Sequence, residues 1–350
     1  MYPRIQQLRK LFASLGVDAF WVSHPSSLAY LTGQSLFEGW LLVTPDQIFY
    51  LTDPRYAAEV RPRLKGIQVR VFTAGKPLFV LLREILSSSR VRRIGFHPAR
   101  LSLAFYRKLK SQTPSGISWH SREDVLEGLR MIKAPAELKL IKIAISHNIN
   151  IFRYIEKNLR FGMTENELLR RLQAHLNRRG LKFSFDPIIA SGPNSAYPHA
   201  RVTDRVIRKN DLVLVDMGID FCGYKSDLTR IFFLGKIPAL IRQTAEIVRA
   251  AQREAIAQIR PGIQAAAIDQ TARKFLSQKK LDRFFTHSLG HGVGLEIHER
   301  PVISRSSKTI LQPGMVFTVE PAVYIPDKFG IRMEDMILVT TKGHEILSRP

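Results

Sequence analysis

Cysteine is almost missing from this chain. Of 350 residues only Cys222 carries a thiol, which excludes an intramolecular disulfide framework and fits a reducing compartment. Long apolar runs are missing too. The richest stretch, Pro77–Leu86, is broken by Arg83 and Glu84, far short of the roughly 18 uninterrupted apolar residues a membrane span needs. The first twenty residues, MYPRIQQLRKLFASLGVDAF, are charged and amphipathic and lack the apolar centre of a signal peptide. A soluble cytoplasmic protein without a membrane partner is the expectation. Acid is scarce: 30 acidic residues stand against 53 basic ones, a formal charge of +23. Such a balance favours anionic contacts, but it bears on association rather than fold. The basic residues are dispersed, with only short clusters such as Arg90–Arg93. That is the pattern of a solvated surface, so nucleic acid is not the expected partner.

What is present is ordinary globular material, 45% hydrophobic and 24% charged, which excludes a disordered chain. At roughly 100–200 residues per domain, two domains are expected. The first part alternates helical and strand-like segments. Ile5, Leu8, Leu11, Phe12 and Leu15 keep helical spacing, and Gly16 offers a stop. Strands are expected at 18–23, 67–73 and 93–96, helices near 78–86 and 103–109, and a hairpin where Pro45 and Asp46 separate two apolar runs. This alternation predicts a layered α/β domain. After the turn-rich SQTPSG at 111–116 and a polar stretch at 119–125, Pro135 opens a long helix. The boundary is therefore placed between a smaller α/β domain at 1–124 and a larger α+β domain at 125–350. In the larger one, helices are expected at 135–159, 165–178, 240–259 and 264–278. Strands are expected at 187–191, 212–220, 224–233, 316–321 and 332–340.

An internal echo runs through the second part. RFGMTENELL around Gly162 resembles RPGIQAAAID around Gly262, and each is followed by a helix, a strand and a histidine. His199 lies 37 residues after the first glycine and His298 lies 36 after the second. A duplicated unit would put the two histidines at equivalent places about a pseudo-twofold axis.

Five residues call for joint treatment. Asp216 closes the apolar run VLVDMG, Asp227 follows eleven positions later in YKSDLTR, and His291 sits among glycines in HSLGHGVGLEIHE. Glu320 ends VFTVEP, and Glu334 lies in GIRMEDMILV. A single acid at a strand end is ordinarily a cap or a solvated edge. Four acids at such places, with a histidine whose glycine neighbours allow close backbone approach, form a cluster whose like charges repel. Two divalent cations would balance four carboxylates and a neutral imidazole. An oxygen-rich shell with one histidine suits manganese, cobalt or iron, without excluding zinc. Paired metals can activate water and polarise a carbonyl, the machinery of amide hydrolysis.

With these motifs in this order, the chain resembles the pita-bread metallopeptidase family, in its aminopeptidase P and prolidase branch. YLTG at 30–33 and LLVTPDQIFYLTDPRY at 41–56 resemble that family's smaller N-terminal domain, so the likeness spans the whole chain. It implies a creatinase/prolidase-like N-terminal α/β domain and an α+β C-terminal domain of pita-bread fold with pseudo-twofold symmetry. It also implies two metal ions, manganese foremost, held by Asp216, Asp227, His291, Glu320 and Glu334. Glu320 would handle the proton of the attacking water, His199 and His287 would line the substrate site, and His298 would steady the oxyanion or shuttle a proton. Arg332 would support the last ligand and the substrate. The implied activity is release of the N-terminal residue from Xaa-Pro peptides by an aminopeptidase P, with an Xaa-Pro dipeptidase (prolidase) as the alternative and a homodimer as the implied assembly. A non-catalytic binding protein on the same scaffold is a weaker reading, because all five ligand positions are filled. Ala322, where relatives carry glycine, and SLFEGW at 35–40 depart from the family pattern without touching a ligand.

Overall fold

The computed structural model describes residues 2–35 and 38–349. Leu36 and Phe37 of the SLFEGW segment lie outside them. The chain divides into two compact units, 1–130 and 131–350.

Unit 1–130 holds one six-stranded sheet. Its strands are β1 (Ala19–Val22), β2 (Trp40–Val43), β3 (Ile48–Thr52), β4 (Gln68–Val71), β5 (Arg93–Phe96) and β6 (Ser118–Ser121), in the order β4-β3-β2-β1-β5-β6. The helices are α1 (Pro3–Lys10), α2 (Phe12–Leu15), α3 (Pro25–Thr32), α4 (Pro54–Arg63), α5 (Leu78–Ser87), α6 (Leu103–Gln112) and α7 (Val125–Met131), the last ending at the division between units. The expected hairpin is β2–β3, paired from Val43↔Ile48 to Trp40↔Leu51. Central β1 is buried at all four residues, as strands covered on both faces are. Trp21 packs against Trp40 at 6.1 Å and Trp119 at 5.9 Å between ring centroids. The polar stretch expected to be a break contains strand β6, which pairs in parallel with β5 and directs Trp119 into the aromatic cluster. An edge strand has one solvated side, so its polarity hides it. Helices α3 and α4 were not foreseen either. Both begin with proline in the first turn, where its missing N–H costs nothing.

Unit 131–350 contains α8 (Pro135–Asn158), α9 (Glu165–Asn177), α10 (Ala239–Ala257) and α11 (Ala265–Gln278), close to the expected helices. Its strands are β7 (Lys182–Phe183), β8 (Ile188–Ser191), β9 (Leu212–Met217), β10 (Ile219–Phe221), β11 (Tyr224–Lys225), β12 (Leu228–Phe233), β13 (Gly290–Gly292), β14 (Glu299–Ile303), β15 (Val316–Val319), β16 (Ala322–Ile325), β17 (Phe329–Arg332), β18 (Asp335–Val339) and β19 (His344–Ile346). The main sheets run β12-β9-β8 and β14-β13-β15-β18-β19. Three strands expected to be continuous are each broken: 212–220 at Gly218, 224–233 at Ser226–Asp227, and 332–340 at Met333–Glu334. A Cβ on Gly218 would lie 1.8 Å from the Ser226 carbonyl oxygen, so here the two chains cross too closely for any side chain.

The internal echo is a structural duplication. Gly162 and Gly262 both have left-handed φ, 91° and 85°. Gly162 N–H donates to Ile207 O at 2.8 Å, and Gly262 N–H to Leu311 O at 2.9 Å. Ile207 N–H returns to Met163 O, and Leu311 N–H returns to Ile263 O. The sequence helix–helix–strand–strand–strand then occurs twice, as α8-α9-β8-β9-β12 and α10-α11-β13-β15-β18. In each copy the second strand pairs antiparallel with both others. One apolar core fills each half: Ile145, Leu172, Val215 and Leu228 in the first, Val248, Ala272, Phe317 and Ile337 in the second.

One charge in the first unit makes a testable link between sequence and stability. The Asp18 carboxylate accepts from the Arg92 and Arg93 amides at 3.0 and 2.9 Å and pairs with the Arg93 guanidinium at 2.9 Å. The Arg93 bond, opposed by partial burial, holds its pKa below the usual carboxylate value. A depressed folded pKa contributes stability in full above the unfolded value of about 3.9, and loses it as pH falls through the folded value. Asp18→Asn is expected to cost about 1 kcal/mol at pH 7, read from urea unfolding of the chain, and the cost should shrink in acid below pH 4.

Candidate metal centre

The strand breaks converge on one place. Asp216 lies near the end of β9 and Asp227 just before β12. In this pair Asp216 stands opposite Thr229, so Asp227, two residues earlier, is its diagonal neighbour on the same face. The second copy repeats the arrangement: Glu320 follows β15, and Glu334 immediately precedes β18. His291 is the middle residue of β13, at a bulge against β14. Its flanking glycines are required by close approach, since a Cβ at 290 or 292 would come within 1.9 Å of Thr318 O or 2.2 Å of Arg300 O.

Asp227, His291 and Glu334 each offer a ligand atom, all within 4.8 Å of one another. His291 Nε2 is 3.4 Å from Asp227 and 3.3 Å from Glu320. Its Nδ1 faces the Gly292 carbonyl at 3.2 Å, which accepts only, so Nδ1 carries the proton and Nε2 presents a lone pair to the two carboxylates. Burial, aided by His298, pushes the His291 pKa down to about 3. A neutral ring with its lone pair facing carboxylate oxygens is a metal-ready arrangement.

The acids are strained in the same sense. Burial first, then Glu334, Asp216 and Glu320, raises Asp227 well above the carboxylate range. Burial followed by Glu320 and Asp216 does the same to Glu334. Glu320 is pushed up to about 8 by burial, with Asp216 adding to it and Arg332 opposing. Asp216 Oδ1 is buried with no hydrogen-bond partner. An orphaned carboxylate oxygen, a facing imidazole lone pair and mutually repelling acids all fit a bound cation.

Four of the five proposed ligands, Asp216, His291, Glu320 and Glu334, are held from behind. Thr229 Oγ1 accepts from Arg332 Nε at 3.0 Å and donates to Glu334 at 2.6 Å. Thr318 Oγ1 accepts from the His291 amide and donates to Glu320, both at 3.1 Å. Arg332 also binds Asp216, Tyr324 and the Pro198 carbonyl. Burial would lower its pKa, but Tyr324, Asp216, Glu320 and Glu334 keep it firmly cationic. The chain continues from Arg332 through the Tyr324 hydroxyl to His287 Nε2 at 3.2 Å, while His287 Nδ1 donates to Ser288 O at 2.8 Å. Burial takes His287 down to about 4 and Tyr324 up to about 12.

His199, His287, His298, Arg332 and all five proposed ligands line a single cleft of about 1000 Å³. His298 sits edge-on to His291 at 4.1 Å between ring centroids, and its pKa is lowered chiefly by burial. His199 is exposed at the cleft. Two acids anchor the histidine-bearing segments. Glu165 accepts from the Ser191 and Thr203 amides and hydroxyls and from Asn194. Asp269 holds the Leu289 amide and Arg273, which grips the carbonyls of Phe285 and His287. Sequence reasoning missed Tyr324, Thr229, Thr318 and both anchors. Thr229 stood within the SDLTR motif, but nothing marked Tyr324 beyond an aromatic in an apolar strand.

Family models match the chain over both units: the creatinase/prolidase N-terminal domain over residues 4–132 and metallopeptidase family M24 over residues 139–341. The chain belongs to metallopeptidase family M24. It is 32% identical to the Xaa-Pro dipeptidase of Pyrococcus furiosus over 353 residues, covering 100% of this chain and 98% of that one. The solved Xaa-Pro dipeptidase from Bacillus anthracis matches with a TM-score of 0.94 at 31% identity over 99% of this chain and 97% of that chain. The X-Pro aminopeptidase from Thermotoga maritima matches with 0.89 at 30% identity over 99% and 98%. The M24 chain thus has the pita-bread fold expected from its motifs, preceded by the creatinase-type N-terminal domain. Its family is one of divalent-metal peptidases, and this cleft supplies a matching cluster.

Two outcomes follow from the buried charges. Burial pushes Glu320 up to about 8, so a cation entering the site near neutral pH is expected to displace protons. Manganese added to the metal-free protein at pH 7 should release protons in a pH-stat, with apparent affinity rising from pH 6 to pH 8. Separately, Lys133 Nζ pairs with Glu299 at 2.9 Å, both side chains nearly inaccessible, directly beside His298. Lys133→Met takes the opposite charge away from the buried Glu299 carboxylate and should cost about 3–5 kcal/mol. Adding Glu299→Leu should recover most of that in the same unfolding assay.

Proposed function

We propose that this protein is a two-metal Xaa-Pro dipeptidase. The observation that carries the reading is the convergence, in one cleft of an M24 chain, of two pairs of acids at matching places in the two structural copies. Asp216 corresponds to Glu320 and Asp227 to Glu334, and His291 joins them. Two such pairs suit two ions, and an oxygen-rich set with one imidazole suits manganese, then cobalt, iron or zinc. The dipeptidase names of several full-length relatives shift the balance away from the aminopeptidase P that the motifs alone favoured. The second reading, an Xaa-Pro aminopeptidase, draws on the Thermotoga maritima structure and on a cleft with room for more than two residues.

Bound divalent ions would supply Lewis acidity and a water acidic enough to react at neutral pH. The remaining work falls to this chain. A bond to proline is a tertiary amide, so its nitrogen carries no hydrogen and must receive a proton to leave. Glu320, anchored by Thr318 at one carboxylate oxygen, takes the proton of the attacking water and returns it to that nitrogen. His298, beside the ligands, donates to the carbonyl oxygen as negative charge develops. His287, locked by Tyr324 and Ser288, and His199 at the cleft present ring faces and edges to the proline. Arg332 fixes Asp216 and Tyr324 in place.

Manganese-loaded protein should hydrolyse Ala-Pro and leave Ala-Pro-Ala almost untouched, followed by chromatography of the released amino acids. Efficient release of alanine from the tripeptide would favour the aminopeptidase reading, and no turnover with any of the four metals would defeat both. Asp227→Asn should abolish activity and reduce metal content measured by plasma emission.

A further inference from the structure

The cleft carries charge beyond its metal ligands, and most of it is already spent. Arg332 is engaged by Asp216, Tyr324 and Thr229. Around the mouth formed by α9 and the segment after His199, the acids are taken as well. Glu165 is saturated by five donors from Ser191, Asn194 and Thr203. Glu167 pairs with Arg171 at 2.6 Å, Asp204 accepts from Asn166 at 2.8 Å, and Asp211 pairs with Arg205 at 2.7 Å. Two cations that line the same cleft have no such partner. Among the described residues the side chains of Arg170 and Arg201 make no hydrogen bond or ion pair, although both face the cleft. Asp186 lines this wall too and, among the described residues, forms no ion pair with either.

Both arginines stand on rigid supports. Arg170 is in the middle of α9, whose other face is buried through Leu168, Leu172 and Leu176. Arg201 has its carbonyl fixed by Asn194 at 3.2 Å, and Thr203, two residues on, is fixed by Glu165. Its backbone is pinned while its guanidinium is free. Arginine without a counter-ion beside an apolar-walled cleft is suited to a planar carboxylate. A peptide brings one such group at its C-terminus and others on acidic side chains.

We propose that Arg170 and Arg201 form a carboxylate-reading rim that selects substrates carrying a negative charge on the far side of the scissile bond. This rests on the Xaa-Pro peptidase reading and gives it a physical basis for length selection. In a dipeptide the carboxylate sits on the proline itself, inside the cleft that both arginines line, whereas a longer neutral peptide carries it away. The shared chemistry is a carboxylate, and its two sources are separable.

The experiment compares Ala-Pro, Ala-Pro-NH₂ and Ala-Pro-Glu-NH₂ on the manganese-loaded full chain, in wild type and in R170Q, R201Q and the double variant. The readout is the ratio of KM values between uncharged and charged substrate. Wild type should favour Ala-Pro over its amide by about tenfold, a preference that narrows at high salt because the rim is exposed. Each single variant should weaken the ratio and the double variant should bring it close to one. A structural role would damage both substrates together and leave the ratio intact. An arginine-dependent preference for Ala-Pro-Glu-NH₂ over Ala-Pro-NH₂ would show that side-chain carboxylates are read, and its absence that the terminal one alone is. Equal KM values for acid and amide in wild type, or a ratio that survives the double variant, would overturn the proposal. Should the protein hydrolyse none of the three, the peptidase reading fails by itself. The peptides are then stable and can be titrated by calorimetry, where the same ratio of affinities upholds or sinks the rim.

Discussion

Like charges forced together in a buried place are the constraint on which the rest of the catalytic unit depends. Burial raises the pKa of Asp227, Glu320 and Glu334, and the charge of Asp216 adds to the effect on all three. A cluster of this kind persists in two ways: it takes up protons, or it binds cations. The surrounding side chains favour the second. Thr229, Thr318 and Arg332 each satisfy particular carboxylate oxygens from behind, yet Asp216 Oδ1 is left bare and His291 turns a lone pair inward. One cation would meet the bare oxygen and the lone pair together, which a proton on a single acid cannot do. The arrangement holds the acids in place while withholding the groups that would neutralise them.

The same constraint explains what could be read from the sequence. Asp216, Glu320 and Glu334 stood out at the ends of apolar runs, Asp227 by its place on the next strand and His291 by its glycine neighbours, and the structure brings them and the three cleft histidines to one cavity. Of the continuous strands expected, 224–233 and 332–340 break where the backbone turns at Asp227 and Glu334, whereas Asp216 stays in the ladder and 212–220 breaks at Gly218. Hydrophobic periodicity carries no information about that turn. Tyr324 was invisible for the opposite reason: an aromatic in an apolar strand is the commonest of core residues, and only the converging bonds from Arg332 and to His287 give it a role. Glu165 and Asp269 were hidden as helix residues with ordinary composition, since the segments they grip lie 20 or more residues away. Strand β6 was lost to its polarity, which belongs to its edge position.

Duplication turns a weak repeat into a working site. The glycines at 162 and 262 are positions of left-handed backbone, which explains why the echo survives there while the rest of the two segments has drifted. Each copy contributes one acid after or near the end of its middle strand and one just before its third strand. Two copies placed about a shared axis give two matched pairs, an arrangement one copy could not make.

The copies are not equal in what they add. His199 and His298 follow their glycines at nearly the same distance, but their surroundings differ. His199 stands exposed at the cleft among Pro198, Arg201 and the α9 wall, and His298, exposed as well, meets the His291 ring edge-on. The second copy alone supplies an imidazole to the ligand set, on a strand stripped to glycine on either side. The first copy instead keeps Arg170 and Arg201 without partners. From equivalent topology, each half supplies one pair of acids, to which the second adds the His291 ring and the first adds the two arginines at the cleft. The acids of both halves hold charge at the centre, the desolvated ring of the second faces them, and the guanidinium groups of the first stand where they can sort what enters.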